Sequence, residues 1–172
     1  MITKGLALPC LAVLALLVLP VANALACADE QALPGTASTR AYSRAVECLV
    51  NEQRAGAGLA PLAHDRRLAR AARRFSSSMV HQRFFAHVSP DGSTLPARAH
   101  AAGYSGGALG ETIGWGAGSL ATPAAIVQGW MESPPHHAIL MSGGFQRIGL
   151  GVASGSPEGA PQAATVTADF GG

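Results

Sequence analysis

Apolar side chains return along this chain at two spacings, and each spacing predicts a different kind of element. After Asp65, a residue type suited to an N-cap, Leu68, Ala72, Phe75 and Met79 fall within about 60° of one another at 100° per residue. That stripe predicts an amphipathic helix with Arg66, Arg67, Arg70, Arg73, Arg74 and His81 on its opposite side. An earlier helix is expected from about Ser43 to Ala55, with Val46, Leu49 and Val50 on one stripe and Gly56 and Gly58 behind it. Pro90-Asp91-Gly92 signals a turn, and a short helix from about Leu95 to Ala102 should stop at Gly103. Thr122 and Pro123 form a cap and first position for a helix carrying Ile126, Val127 and Trp130, which Pro134 ends.

Toward the C-terminus the spacing changes to two. Ile148, Leu150 and Val152 alternate with Gly149 and Gly151, and Val166, Ala168 and Phe170 alternate with Thr165, Thr167 and Asp169. Two strands are expected there, joined by the Gly/Pro-rich stretch 154–163, and Glu111 to Gly116 is strand-like as well. Helices first and antiparallel strands later predict an α+β or layered α/β/α arrangement with helices covering a sheet.

The N-terminus follows another rule. Lys4 gives a positive start, Leu6 to Val21 an apolar core, and Ala24-Leu25-Ala26 a small-x-small cleavage site, so residues 1–26 read as a signal peptide. A retained anchor helix is the alternative, since a span needs roughly 20 residues. Residues 27–42 read as an arm and 43–172 as one domain; a mature chain of about 145 residues can bury a substantial core. It is expected to be soluble, without a membrane span after cleavage, and monomeric.

Cleavage removes Lys4 from the 12 basic residues, leaving eleven arginines against 10 acidic side chains and a net charge of +1. That balance makes no electrostatic case for nucleic acid. Cys10 is lost too, and Cys27 and Cys48 remain in a compartment that permits a disulfide stapling the arm to the first helix. Alternatively Cys27, directly behind the leader, is a lipidated N-terminus. The arginine stripe is either a solvated helix surface or a contact for anionic envelope polymers or lipid headgroups.

Three polar residues stand in apolar or glycine-rich surroundings: His87 after Phe84-Phe85-Ala86, Glu111 before Thr112-Ile113-Gly114-Trp115, and His136 after Ser133-Pro134-Pro135. Each alone has a structural explanation as a hydrogen-bonded or capping residue. No H-E-x-x-H, zinc-finger spacing, G-x-S-x-G or P-loop occurs, so no local motif imposes an enzyme class. His64 and His100 read as surface or structural residues.

The blocks around these residues resemble a known family. Leu49-Val50-Asn51-Glu52-Gln53-Arg54, Phe84-Phe85-Ala86-His87-Val88-Ser89-Pro90-Asp91-Gly92, Gly110-Glu111-Thr112-Ile113-Gly114-Trp115-Gly116, Trp130-Met131-Glu132-Ser133-Pro134-Pro135-His136-His137 and Ile148-Gly149-Leu150-Gly151-Val152 follow the order found in bacterial CAP (SCP-like) domains. The resemblance covers roughly residues 46–171. It implies a three-layer α/β/α sandwich around a mainly antiparallel sheet, with His87, Glu111 and His136 converging in a central cleft. The chain departs from the family pattern at Thr112, where Asn is usual, at Pro135, where Gly is usual, at Ser133, where the fuller tetrad has a second glutamate, and at His137, where Arg is common. His137 therefore stays open beside His136 as the cleft residue, with the alignment of the block favouring His136.

Two imidazoles and a carboxylate suit a divalent metal, zinc first, with His87 and His136 as ligands, or general acid and base work. The resemblance implies a secreted or cell-envelope binding module for an unidentified lipid, polymer or protein ligand. A metal-dependent extracellular hydrolase and a cell-envelope structural protein are the alternatives.

Overall fold

A computed structural model describes Met1 and residues 27–172. The leader expected over residues 1–26 lies, Met1 apart, outside the described residues. The described elements run α1 (Thr39–Gly56), β1 (Ala63–His64), α2 (Arg66–Gln82), α3 (Leu95–Ala101), β2 (Leu109–Ala117), α4 (Pro123–Glu132), α5 (Pro134–Leu140), β3 (Arg147–Ser154) and β4 (Ala163–Gly171). The strands form one sheet in the order β1-β3-β4-β2. Only β1 pairs in parallel, with β3; the other pairings are antiparallel.

Local chemistry sets the helix starts. Asp65 caps α2 by accepting from the backbone N–H of Arg67 and Leu68, at 2.7 and 3.2 Å. Thr122 caps α4 by accepting from Ala125 N–H at 3.2 Å, with Pro123 in the first turn. Ser38 does the same for α1 through Ala41 N–H, so the helix begins at Thr39 and takes in residues whose composition reads as an arm. Pro134 ends α4 as expected, but it also opens α5, because the first turn of a helix tolerates a residue without an N–H.

Two glycines bring the layers together. A Cβ on Gly149 would lie 2.1 Å from Ala69 N, and one on Gly151 2.1 Å from the Ala72 carbonyl carbon, so α2 rests its backbone directly on β3. The alternate residues Ile148 and Leu150 then point to the other face, where they join Val46 and Val50 of α1, Ile126, Val127 and Trp130 of α4, and Val166, Ala168 and Phe170 of β4 in the main core. The result is the expected three-layer α/β/α sandwich. β4 runs between two strands and beneath helices on both faces, and every one of its residues is buried. Thr167 on its polar side is satisfied by Ser76 of α2 at 2.8 Å.

Cys27 and Cys48 are joined as a disulfide, which ties the chain before α1 to the middle of that helix. None of the described helices is long and apolar enough to cross a membrane.

Candidate functional site

His87 lies in the segment between α2 and α3. Helix α2 stops at Arg83, which takes the left-handed conformation with φ 53°, and Phe84 then packs on Phe75 with ring centroids 5.9 Å apart. Arg98 of α3 fixes the rest of the segment by donating to the carbonyls of His87 and Ser93, at 3.1 and 2.9 Å. The imidazole is left half exposed, and its Nδ1 meets Glu111 Oε1 at 2.8 Å.

Glu111 is buried on β2, with its side chain 4% exposed. Its second oxygen, Oε2, accepts from Arg98. The Arg98 guanidinium also lies over the Phe75 ring, 3.4 Å from the centroid, so its charge is held by a carboxylate on one side and an aromatic face on the other. Both oxygens of Glu111 are therefore engaged, and its role here is to orient. It takes the Nδ1–H of His87 and leaves Nε2 toward solvent, the arrangement carboxylates use to prepare a histidine for a metal or a proton.

Asp169, on β4, is the direct cross-strand partner of Glu111. It is fully buried, and no donor among the described residues reaches either of its carboxylate oxygens. Burial holds its pKa well above the ordinary aspartate value, and the charge of the neighbouring Glu111 raises it further, against the opposing pull of Arg98. Two carboxyl groups in one dry site favour a single negative charge between them, the proton residing on Asp169.

His136 sits in the first turn of α5, whose two ends are anchored. Trp130 Nε1 donates to the Ile113 carbonyl at 3.0 Å, fixing the preceding α4 to β2. At the far end the buried Arg54 donates through Nη1 to the carbonyls of Leu140 and Ser142, at 2.7 and 2.9 Å, and through Nε to Ala60 at 3.0 Å. His136 Nδ1 meets Ser133 Oγ at 2.9 Å, which again leaves Nε2 free. Burial lowers the His136 pKa, and the charge of nearby His87 lowers it further. His136 also borders a hollow of about 360 Å³ walled by Phe85, Ile113, Trp115, Leu120 and Ile126.

Sequence patterning points to His87, Glu111 and His136, and the fold brings the first two into contact with the third close by. It does not show Arg98, Asp169 or Ser133 as their partners. Asp169 belongs to the polar half of an alternating strand, and α2 covers the face on which it lies. Among the described residues, the one set of three His, Cys, Asp or Glu side chains whose donor atoms lie within 4.8 Å of one another is Cys27, Cys48 and Glu52. Both sulfurs there are spent in the disulfide. His87, Glu111 and His136 thus approach without closing into such a set.

The model of the cysteine-rich secretory protein family, CAP, matches residues 48–170. The chain belongs to the CAP family. This CAP domain is 35% identical over 120 residues to the uncharacterized protein YkwD of Bacillus subtilis, a match covering 69% of this chain and 46% of that protein. It thus spans about half the length of that curated relative. Among solved structures, an extracellular SCP-domain protein of Bacillus anthracis superposes with a TM-score of 0.68 at 26% identity, over 77% of this chain and 41% of the other. An outer surface protein of Borrelia burgdorferi gives the same TM-score at 20% identity, over 78% and 95% of the two chains, and shows the shared fold.

Within this CAP domain the departures from the family pattern acquire places. Ser133 supplies the hydroxyl against His136. Thr112 is buried in β2 with its Oγ1 unpartnered. His137 is exposed and borders a separate hollow with Glu52 and Met131. His64 pairs with Glu47 at 2.8 Å, and His81 Nδ1 donates to the Ser77 carbonyl at 2.7 Å.

Proposed function

We propose that this CAP-domain protein is a secreted or cell-envelope binding module whose ligand contacts the cleft between His87 and His136. The observation that carries this reading is the held orientation of the two imidazoles. Each is engaged through Nδ1, by Glu111 in one case and Ser133 in the other, and each keeps Nε2 available. The apolar hollow beside His136 gives a ligand a place to bury surface next to these polar groups. Export is supported by the leader signature, by the disulfide, and by the extracellular and outer-surface descriptions of the structural relatives.

The chemistry of the donors, two imidazoles with a carboxylate behind one of them, suits a divalent ion that His87 and His136 would hold, with zinc the first candidate. Such an ion would supply Lewis acidity or a template for an anionic ligand. The chain's own residues do the rest: Arg98 holds Glu111 in place, Glu111 aligns His87, and Ser133 aligns His136.

Metal analysis and calorimetric titration of the purified mature protein with zinc test this. One ion per chain is expected, with uptake weakening as pH falls through the histidine range near 6.5, because the ligand nitrogens must be unprotonated. His87→Ala and His136→Ala should each weaken uptake while the fold is retained. If both bind zinc like the parent, the cleft histidines are structural.

A further inference from the structure

Away from the His/Glu cleft, along the β1 edge of the sheet, two troughs meet. One, of about 500 Å³, lies between α1 and α2 and is bordered by Arg40, Arg44, Arg66 and Arg73. The other, of about 550 Å³, continues past the start of α2 and is bordered by Arg66, Arg67 and Arg147. His64 and Arg66 border both, so the two form one continuous channel in the surface.

The charge in this channel is one-sided. The six arginines are all exposed, and none forms an ion pair with a described residue. The two acidic side chains on its border are already occupied, Glu47 by His64 at 2.8 Å and Asp65 by the first N–H groups of α2. With six arginines against two acidic side chains, the border of the channel carries an excess of positive charge. Guanidinium forks arrayed along a groove fit a chain that presents an anion at successive positions.

We propose that this channel binds a flexible polyol phosphodiester polymer, at a site separate from the His/Glu cleft. A concave channel suits an extended chain better than a flat bilayer. Among the described residues, none of the exposed large apolar side chains, Met1, Leu33, Phe85, Val88 and Leu120, borders it, so it lacks apolar groups of the kind that enter a membrane. Among the described residues its aromatic neighbours are Tyr104, which is buried, and a single exposed imidazole, His64, so the channel lacks the row of exposed rings on which successive nucleobases stack. What remains is recognition of backbone phosphates by arginine, a salt-dependent contact.

The test is binding of the mature protein to a poly(glycerol phosphate) chain, followed by fluorescence anisotropy across a salt series. Arg66→Gln/Arg73→Gln should lower affinity at least tenfold. By analogy with single-stranded polyphosphates, it should also flatten the plot of log affinity against log salt by about 1.4, roughly 0.7 for each contact removed. Arg83→Gln, outside the channel, should bind like the parent, and circular dichroism should show all variants folded. Zinc uptake should be unchanged in the double variant, which separates this site from the cleft. The proposal is overturned if the parent does not bind, if Arg83→Gln weakens binding equally, or if polyglutamate of equal length binds as tightly. It is overturned too if phosphatidylglycerol vesicles or single-stranded DNA bind as tightly through the same arginines, since the partner would then be a membrane or a nucleic acid.

Discussion

Glu111 and Asp169 stand directly opposite each other on neighbouring antiparallel strands, both buried, and only Glu111 has an arginine donating to it. Arg98 holds Glu111 Oε2 and leaves Oε1 to receive the Nδ1–H of His87, while burial raises the pKa of Asp169.

Asp169 should therefore make stability depend on pH in a direction opposite to that of an ordinary salt-bridged aspartate. Its folded pKa is raised, so the folded protein keeps a proton that the unfolded chain releases above about pH 4. The contribution to stability is complete below that pH and is lost as pH climbs toward the folded pKa. Asp169→Asn, which cannot ionise, should gain stability relative to the parent as pH rises. Paired urea titrations from pH 4 to pH 8 measure the difference, and a difference independent of pH would refute the assignment.

Removing Glu111 should be costly for another reason. Glu111→Ala would leave the Arg98 guanidinium, 8% exposed, without its counter-ion in a dry site. Breaking a buried pair from one side costs about 3–5 kcal/mol. Chemical denaturation reads this directly, and a loss below 1 kcal/mol would mean that water reaches Arg98 freely.

Arg54 should prove a structural pin for the site although it lies outside it. Its side chain gathers the carbonyls of Ala60, Leu140 and Ser142 and so joins the end of α1 to the end of α5. Arg54→Met keeps much of the volume and strands those acceptors, at a cost of about 3 kcal/mol. Because α5 carries His136, zinc affinity should fall together with stability. Unchanged affinity in a destabilised variant would show that α5 is held by its other contacts.

The disulfide yields a prediction about processing and one about stability. Mature protein is expected to begin at Cys27 and to show by intact mass an unacylated N-terminus with no free thiol. Closing a loop of this separation contributes roughly 3 kcal/mol, largely by restricting the unfolded chain. Cys48→Ser should lose about that much in chemical denaturation, and an unchanged stability would contradict it.

Much of the architecture was legible in the residues. The 3.6-residue stripe and its cap located α2, the two-residue alternations located β3 and β4, and the ordered blocks identified the CAP fold and the residues His87, Glu111 and His136. These features are local, because side-chain period and capping depend on neighbours a few positions away. Tertiary structure alone decided the partners. Arg98 reaches Glu111 from α3, Asp169 faces it through strand register, and arginines of α1 and α2 meet along one channel. Periodicity states which side of an element faces inward, but not which inward side chains from separate elements will meet. For the same reason the alternation that places Thr165, Thr167 and Asp169 on one side of β4 does not state what covers that side. They are buried because two glycines on the adjacent strand let a helix settle over them.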